Sequence, residues 1–139
     1  MRFLVLCTVL LLAVMPARAQ EATAADAAAI RAVITDQLAA FNRDDGNTAW
    51  SFAAPNIQAR FQTVEVFMAM VRGSYATVYR SRAAEFGTLT GSGDHLLQEV
   101  TITGQDGLQV LARYQMGRQE DASWKIEGVS LKELPQLNV

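Results

Sequence analysis

One histidine, an adjacent acid pair, three tyrosines and two tryptophans are the residues of this chain best suited to chemistry. His95 directly follows Gly91-Ser92-Gly93-Asp94, so any Ser-His-Asp arrangement would have to use it. Its place in a glycine-rich loop instead reads as an exposed residue at the start of a strand. A zinc site built on His95 would have to be completed by several carboxylates, a donor set that zinc rarely uses. Asp44-Asp45 offers a general base, with Asp45 the catalytic candidate, but a base with a raised pKa needs apolar burial. The surrounding Asn42-Arg43-Asp44-Asp45-Gly46-Asn47 is polar, which favours one aspartate capping a helix that begins near Asn47. Gly-x-Gly-x-x-Gly, P-loop, His-Glu-x-x-His and Gly-x-Ser-x-Gly patterns are all missing from the sequence. No metal and no cofactor is therefore expected.

The aromatic residues carry the more informative signal. Trp50, Tyr75, Tyr79 and Tyr114 are candidates to line a ligand pocket, and Tyr75 and Tyr79 are further weak candidates for acid–base work through their hydroxyls. The competing reading is ordinary semi-buried packing that keeps one polar atom wet. Gln98 falls on the apolar side of a strand pattern, which makes it a buried amide in need of partners and a fifth pocket candidate. Arg113 and Gln115 alternate with Tyr114 and face the other side of the sheet, toward solvent or a second subunit. Arg80 and Arg82, beside Tyr79, suit an anion or, more simply, a solvated strand edge.

These residues need elements to hold them. Val110, Ala112, Tyr114 and Met116 follow a period of two, as do Trp124 and Ile126 beyond the polar break Glu120-Asp121-Ala122-Ser123. That predicts a hairpin from Leu108 to Leu131 with one apolar face. The apolar phase slips by one before Val129 and Leu131, and Gly128 sits at the slip, as expected for a β-bulge. Upstream, Ala84, Phe86 and Thr88 are read as one face of a strand over 82–90. Leu96, Gln98, Val100 and Ile102 are read as one face of a strand over 95–103, and Asp106-Gly107 as the turn that follows.

Ile30, Val33, Ile34, Leu38 and Phe41 form a helical stripe over 26–43, with Asp26 as the expected N-cap, and this helix is the candidate cover for the sheet. Shorter helices are expected over 48–53, stopped by Pro55, and from Thr63, where Val64, Phe67, Met68 and Val71 make the stripe and Gly73 the end. A turn or two is expected over 57–61, and 74–81 is open between helix and extended chain. Helices followed by about four antiparallel strands define an α+β class, with N-terminal helices packed on a bent antiparallel sheet.

Residues 1–19 stand apart. The basic start Met1-Arg2, the apolar run Phe3 to Val14 and Ala17-Arg18-Ala19 read as a secretory signal peptide cleaved before Gln20. The run is shorter than the roughly 20 residues a membrane span needs, so no stable membrane insertion is expected after cleavage. Cleavage would remove Cys7, the single cysteine, and with it any disulfide chemistry. Acidic residues outnumber basic ones 14 to 12, and losing Arg2 and Arg18 would widen that gap. This balance argues against nucleic acid and anionic membrane surfaces as partners. Residues 20–139 suit a single domain with one core.

A long first helix, short helices and a bent sheet ending in Trp124-Lys125-Ile126 resemble the nuclear transport factor two-like superfamily. That cone-shaped fold includes ketosteroid isomerase, scytalone dehydratase and SnoaL-like cyclases. More closely, Gln37-Leu38-Ala39-Ala40-Phe41-Asn42-Arg43-Asp44-Asp45, Phe52-Ala53-Ala54-Pro55-Asn56-Ile57 and Trp124-Lys125-Ile126-Glu127-Gly128-Val129 resemble a bacterial family of exported domains of unknown function. The likeness covers nearly all of residues 20–139. It implies a conical pocket between helix and sheet and a homodimer through the sheet, while the Tyr-Asp-Asp set of ketosteroid isomerase has no clear match here. Three functional readings follow, in order of preference. The first is an exported, non-catalytic domain binding a small apolar ligand or a protein partner. The second is a cofactor-independent lyase or isomerase using tyrosine and aspartate, and the third an assembly module acting through the outer sheet face.

Overall fold

The computed structural model describes residues 21–135, so the leader expected at residues 1–19 lies outside the described residues. Five helices precede four strands: α1 (Ala24–Asn42), α2 (Gly46–Ser51), α3 (Pro55–Phe61), α4 (Val64–Ser74), α5 (Ala76–Tyr79), then β1 (Ser81–Ser92), β2 (His95–Gly104), β3 (Gln109–Arg118) and β4 (Trp124–Glu133). The strands pair in sequence order, β1-β2-β3-β4, antiparallel throughout. This is the α+β arrangement of helices on one antiparallel sheet that the order of periodicities predicts.

The α1 stripe buries Ile30, Ile34, Leu38 and Phe41 against the inner face of the sheet, where Leu96, Val100, Ile102, Ala112, Tyr114, Met116, Trp124 and Ile126 are also buried. Thr23, not Asp26, is the N-cap of α1. Its hydroxyl accepts from the Asp26 amide at 3.1 Å, and the Asp26 carboxylate returns the bond to the Thr23 amide at 3.1 Å. The acidic residue three places into the helix completes a capping box, which satisfies two otherwise free amides at once. Asp45 caps α2 and Thr63 caps α4, with Glu65 in its first turn, as the sequence suggests. Pro55 does more than stop α2: it opens α3, where its missing N–H costs nothing. Gly73 lies inside α4, which runs on to Ser74 and is closed by Tyr75. The undecided stretch after it forms the single turn α5.

The register shifts at three places: near the start of β1, between Ser81 and Ala83, and at two bulges farther along. In β1 the register skips between Phe86 and Leu89, so Leu89 takes the inward place that a plain period of two assigns to Thr88, which is exposed. In β4, Met116 pairs with Ile126 but Gln115 pairs with Gly128, leaving Glu127 as the extra residue. That bulge sits where the phase slip puts it. It returns Val129 and Leu131 to the face that carries Trp124 and Ile126, so one strand serves one core despite the slip.

Candidate functional site

The β4 bulge opens a cleft. Before it, the outer edge of β4 is continued by the chain leaving α2: the Ile126 amide donates to the Phe52 carbonyl at 2.9 Å, and the Ala54 amide donates to the Ile126 carbonyl at 2.8 Å. Beyond it, side chains take over. Asn56 Nδ2 donates to the Glu127 carbonyl and the Tyr75 hydroxyl to the Val129 carbonyl, each at 2.9 Å. Helices α3 and α4 therefore stand off from the strand. The gap is a half-open cleft of about 540 Å³, within the range typical of small-molecule sites.

Its interior is mainly apolar: Phe41 from α1, Ile57 and Phe61 from α3, Phe67, Met70 and Val71 from α4, Val78 from α5, and Ile126 and Val129 from β4. Phe67 anchors the aromatic wall, with ring centroids 6.1 Å from Phe41, 6.1 Å from Phe61 and 5.3 Å from Trp50 in an edge-on approach. Such tilted contacts hold rings more firmly than burial alone. Polar groups line the remainder, among them Gln37, Asn56, Arg60, Ser74, Tyr75, Gln115 and Ser130. Gln37 is buried, and its Nε2 donates to the Ala49 carbonyl at 3.1 Å, fastening α1 to α2 at the cleft's inner end.

The structure disperses the candidates read from the sequence. Tyr75 lines the cleft. Trp50 backs it, half-buried behind Phe67. Tyr79 lies elsewhere, at the junction of α5 with the end of α1, where its hydroxyl donates to Asp44 and its ring lies 4.0 Å below the Arg80 guanidinium. Arg80 also reaches Asp44 at 2.7 Å and donates to the Phe41 carbonyl, so this cluster locks the α1 C-terminus. The Tyr79 hydroxyl, then Arg80, holds the Asp44 carboxyl below the usual carboxylate range. Asp45 accepts from the Thr48 hydroxyl at 2.7 Å, the Thr48 amide at 3.1 Å and Arg43 at 3.2 Å. Those bonds, Thr48's first, lower its pKa, which suits a cap.

Gln98 and Tyr114 point into the core rather than the cleft, 1 % and 0 % exposed. Gln98 Nε2 donates to the Glu99 carbonyl at 2.8 Å and to Gly87 and Thr88, the carbonyls of the β1 bulge, at 3.2 and 3.3 Å. Burial pushes the Tyr114 hydroxyl well above its ordinary pKa. His95 is exposed, with Nδ1 3.2 Å from Glu127, and Arg113 pairs with Glu99 at 3.2 Å on the same outer face. Among the described residues, no group of three or more His, Cys, Asp or Glu side chains is placed to hold a metal ion.

Residues that the sequence reading passed over complete the cleft, chiefly Arg60, Phe61, Met70 and Ser74. A signal was present in Ile57 and Phe61, spaced i, i+4 with Arg60 beside them, which is one face of a short helix. A second charged knot ties α1 to the sheet: Arg118 lies 2.9 Å from Asp26 and 3.3 Å from Asp94, with its guanidinium over the Trp124 ring.

A family model described as a domain of unknown function (DUF4864) matches residues 23–139. No curated protein matches the chain.

Proposed function

The chain belongs to that domain-of-unknown-function family, and we propose that it is an exported, non-catalytic domain of the nuclear transport factor two-like cone that binds a small, mostly apolar ligand. The observation that carries this reading is the half-open cleft of about 540 Å³ beside the β4 bulge, walled by Phe41, Phe61, Phe67, Val71 and Ile126. Several aromatic and aliphatic walls converging on a preformed concavity, with a few polar groups at its rim, are the usual composition of a small-molecule site. Support for export comes from the basic, apolar and Ala-x-Ala order of residues 1–19. The cone assignment draws on the helix-then-sheet order and the bent strand β4.

The cleft's polar groups suit recognition. Tyr75 already spends its proton on the Val129 carbonyl, and its oxygen lone pairs can accept from a ligand. The tyrosine–aspartate pair that acid–base chemistry would use, Tyr79 with Asp44, lies on the exposed side of α5 and is also tied to Arg80.

Native mass spectrometry of the protein purified from its own exported compartment tests the proposal. The expected result is a retained small molecule on the wild type that is missing from Ser74→Trp. Ser74 is exposed at the cleft rim, so the indole blocks entry without disturbing the core. An empty wild-type protein, or a ligand held equally well by Ser74→Trp, would count against the cleft.

A further inference from the structure

The cleft contains one charged side chain whose place near its mouth the fold itself does not explain. Arg60 is exposed in the last turn of α3 and lines the cleft. Its guanidinium lies over the Phe61 ring, 5.5 Å from the centroid. Among the described residues Arg43, Arg80, Arg113 and Arg118 are each matched to a carboxylate, whereas Arg60, like Arg31, Arg72 and Arg82, forms no salt bridge, and of these four Arg60 alone lines the cleft. The one carboxylate bordering the cleft belongs to Glu127, and it is engaged by His95. Glu127 also folds back over Gly117, because the space a Cβ would take at Gly117 is filled by the Glu127 side chain.

That leaves an apolar chamber with one cationic side chain near its mouth that is held in no ion pair. A cation resting on an aromatic face keeps its N–H donors turned outward and available. Of the groups a small apolar molecule can carry, a planar carboxylate matches that fork with two parallel hydrogen bonds.

Resting on the cleft reading above, we propose that the ligand is an amphiphilic carboxylate, with its hydrocarbon body between Phe67, Val71 and Ile126 and its carboxylate on Arg60. The charge sets orientation: head toward α3, tail toward the Phe41 end.

Calorimetric titration of the full chain with decanoate and with decanol separates this proposal from the reading it rests on. The two probes share a tail and differ in the head. Decanoate is expected to bind about tenfold more tightly than decanol to the wild type, the scale of one charge-assisted bond. Arg60→Met is expected to bring the two within about twofold. Arg72→Met removes the same charge from a residue outside the cleft lining and is expected to keep the preference. Equal binding of both probes to the wild type overturns the carboxylate assignment and leaves the apolar cleft standing. A preference that survives in Arg60→Met, or disappears equally in Arg72→Met, also overturns it, because the charge would then act from elsewhere. Binding of neither probe overturns both readings.

Discussion

Gln98 and Tyr114 stand directly opposite each other across β2 and β3, both fully inside the core. Each carries one polar atom, Gln98 Oε1 and the Tyr114 hydroxyl, that reaches no hydrogen-bonding partner in the fold. Their consequences differ because their other atoms differ. The Gln98 amide nitrogen serves three backbone carbonyls, while the Tyr114 hydroxyl is that side chain's sole polar group.

For Tyr114→Phe the ring stays and the hydroxyl goes. Removing a buried, unpartnered hydroxyl without leaving a cavity is expected to be neutral or to stabilise by about 1 kcal/mol. Urea denaturation measures it, and a loss above about 1 kcal/mol would mean that the hydroxyl is bonded after all.

The same residue makes a spectroscopic prediction. Burial raises the Tyr114 hydroxyl above the ordinary tyrosine value of 10.0, so Tyr114 should stay silent in the phenolate titration of the native protein. Because the unfolded chain releases that proton first, stability should fall as pH rises through about 10. In Tyr114→Phe the native titration curve should be unchanged and this alkaline loss reduced. A curve that loses one ionising group in the variant would refute the assignment.

Replacing Gln98 by leucine roughly keeps the volume but strips the bulge carbonyls of Gly87 and Thr88, and the Glu99 carbonyl of β2, of their shared donor. We expect a loss of about 1–2 kcal/mol in the same assay, with the β1 edge exchanging its amide hydrogens faster. Unchanged exchange across Phe86 to Leu89 would argue that Gln98 does not hold the bulge.

Glycine substitutions separate the two ends of the sheet. Gly91 has φ +100°, and a Cβ there would meet the His95 carbonyl oxygen at 2.7 Å. Gly91→Ala should therefore cost about 1–2 kcal/mol. At Gly128 a Cβ would meet just the Gln115 amide, at 3.0 Å, which can swing aside. Gly128→Val should thus cost less than Gly91→Ala, even though Gly128 is the residue the sequence marks as the bend. Thermal unfolding of both variants decides the order, and the reverse order would mean that the β4 bulge depends on its glycine.

Four carboxyls are held below the ordinary value of 3.8: Asp26 by the Thr23 amide first, then its hydroxyl and Arg118; Asp44 by Tyr79, then Arg80; Asp45 by Thr48, then Arg43; and Asp121 by the Ser123 hydroxyl, then its amide. A depressed folded pKa stabilises above the unfolded value and loses that effect as pH falls through the folded one. Stability should therefore hold from neutrality down to about pH 5 and decline below about pH 4. Asp26→Asn combined with Asp45→Asn should flatten that decline. Equal acid slopes in variant and wild type would show that these two carboxyls do not supply it.

Much of the fold was legible because its signals are local. The α1 stripe from Ile30 to Phe41, the inward set Leu96 to Ile102 and the phase slip at Gly128 each follow from the repeat of a helix or strand, and burying one face of each leaves little choice of architecture. Local rules failed where neighbours competed. Thr23 took the cap expected of Asp26 because a box satisfies two amides rather than one. Leu89 displaced Thr88 because the bulge at Gly87 and Thr88 shifts β1, a glycine-marked slip like that at Gly128 which a plain period of two reads straight through. Of the cleft, Tyr75 and the Ile57–Phe61 spacing were legible, but not its position. It arises where the chain after α2 stops pairing with β4 and Asn56 and Tyr75 reach across instead, contacts 71 and 54 residues apart in sequence. Sequence spacing determined which faces are apolar; only tertiary packing decided where two of those faces fail to close, and so where Tyr75 and Arg60, and not Tyr79, Gln98 or Tyr114, border the open space.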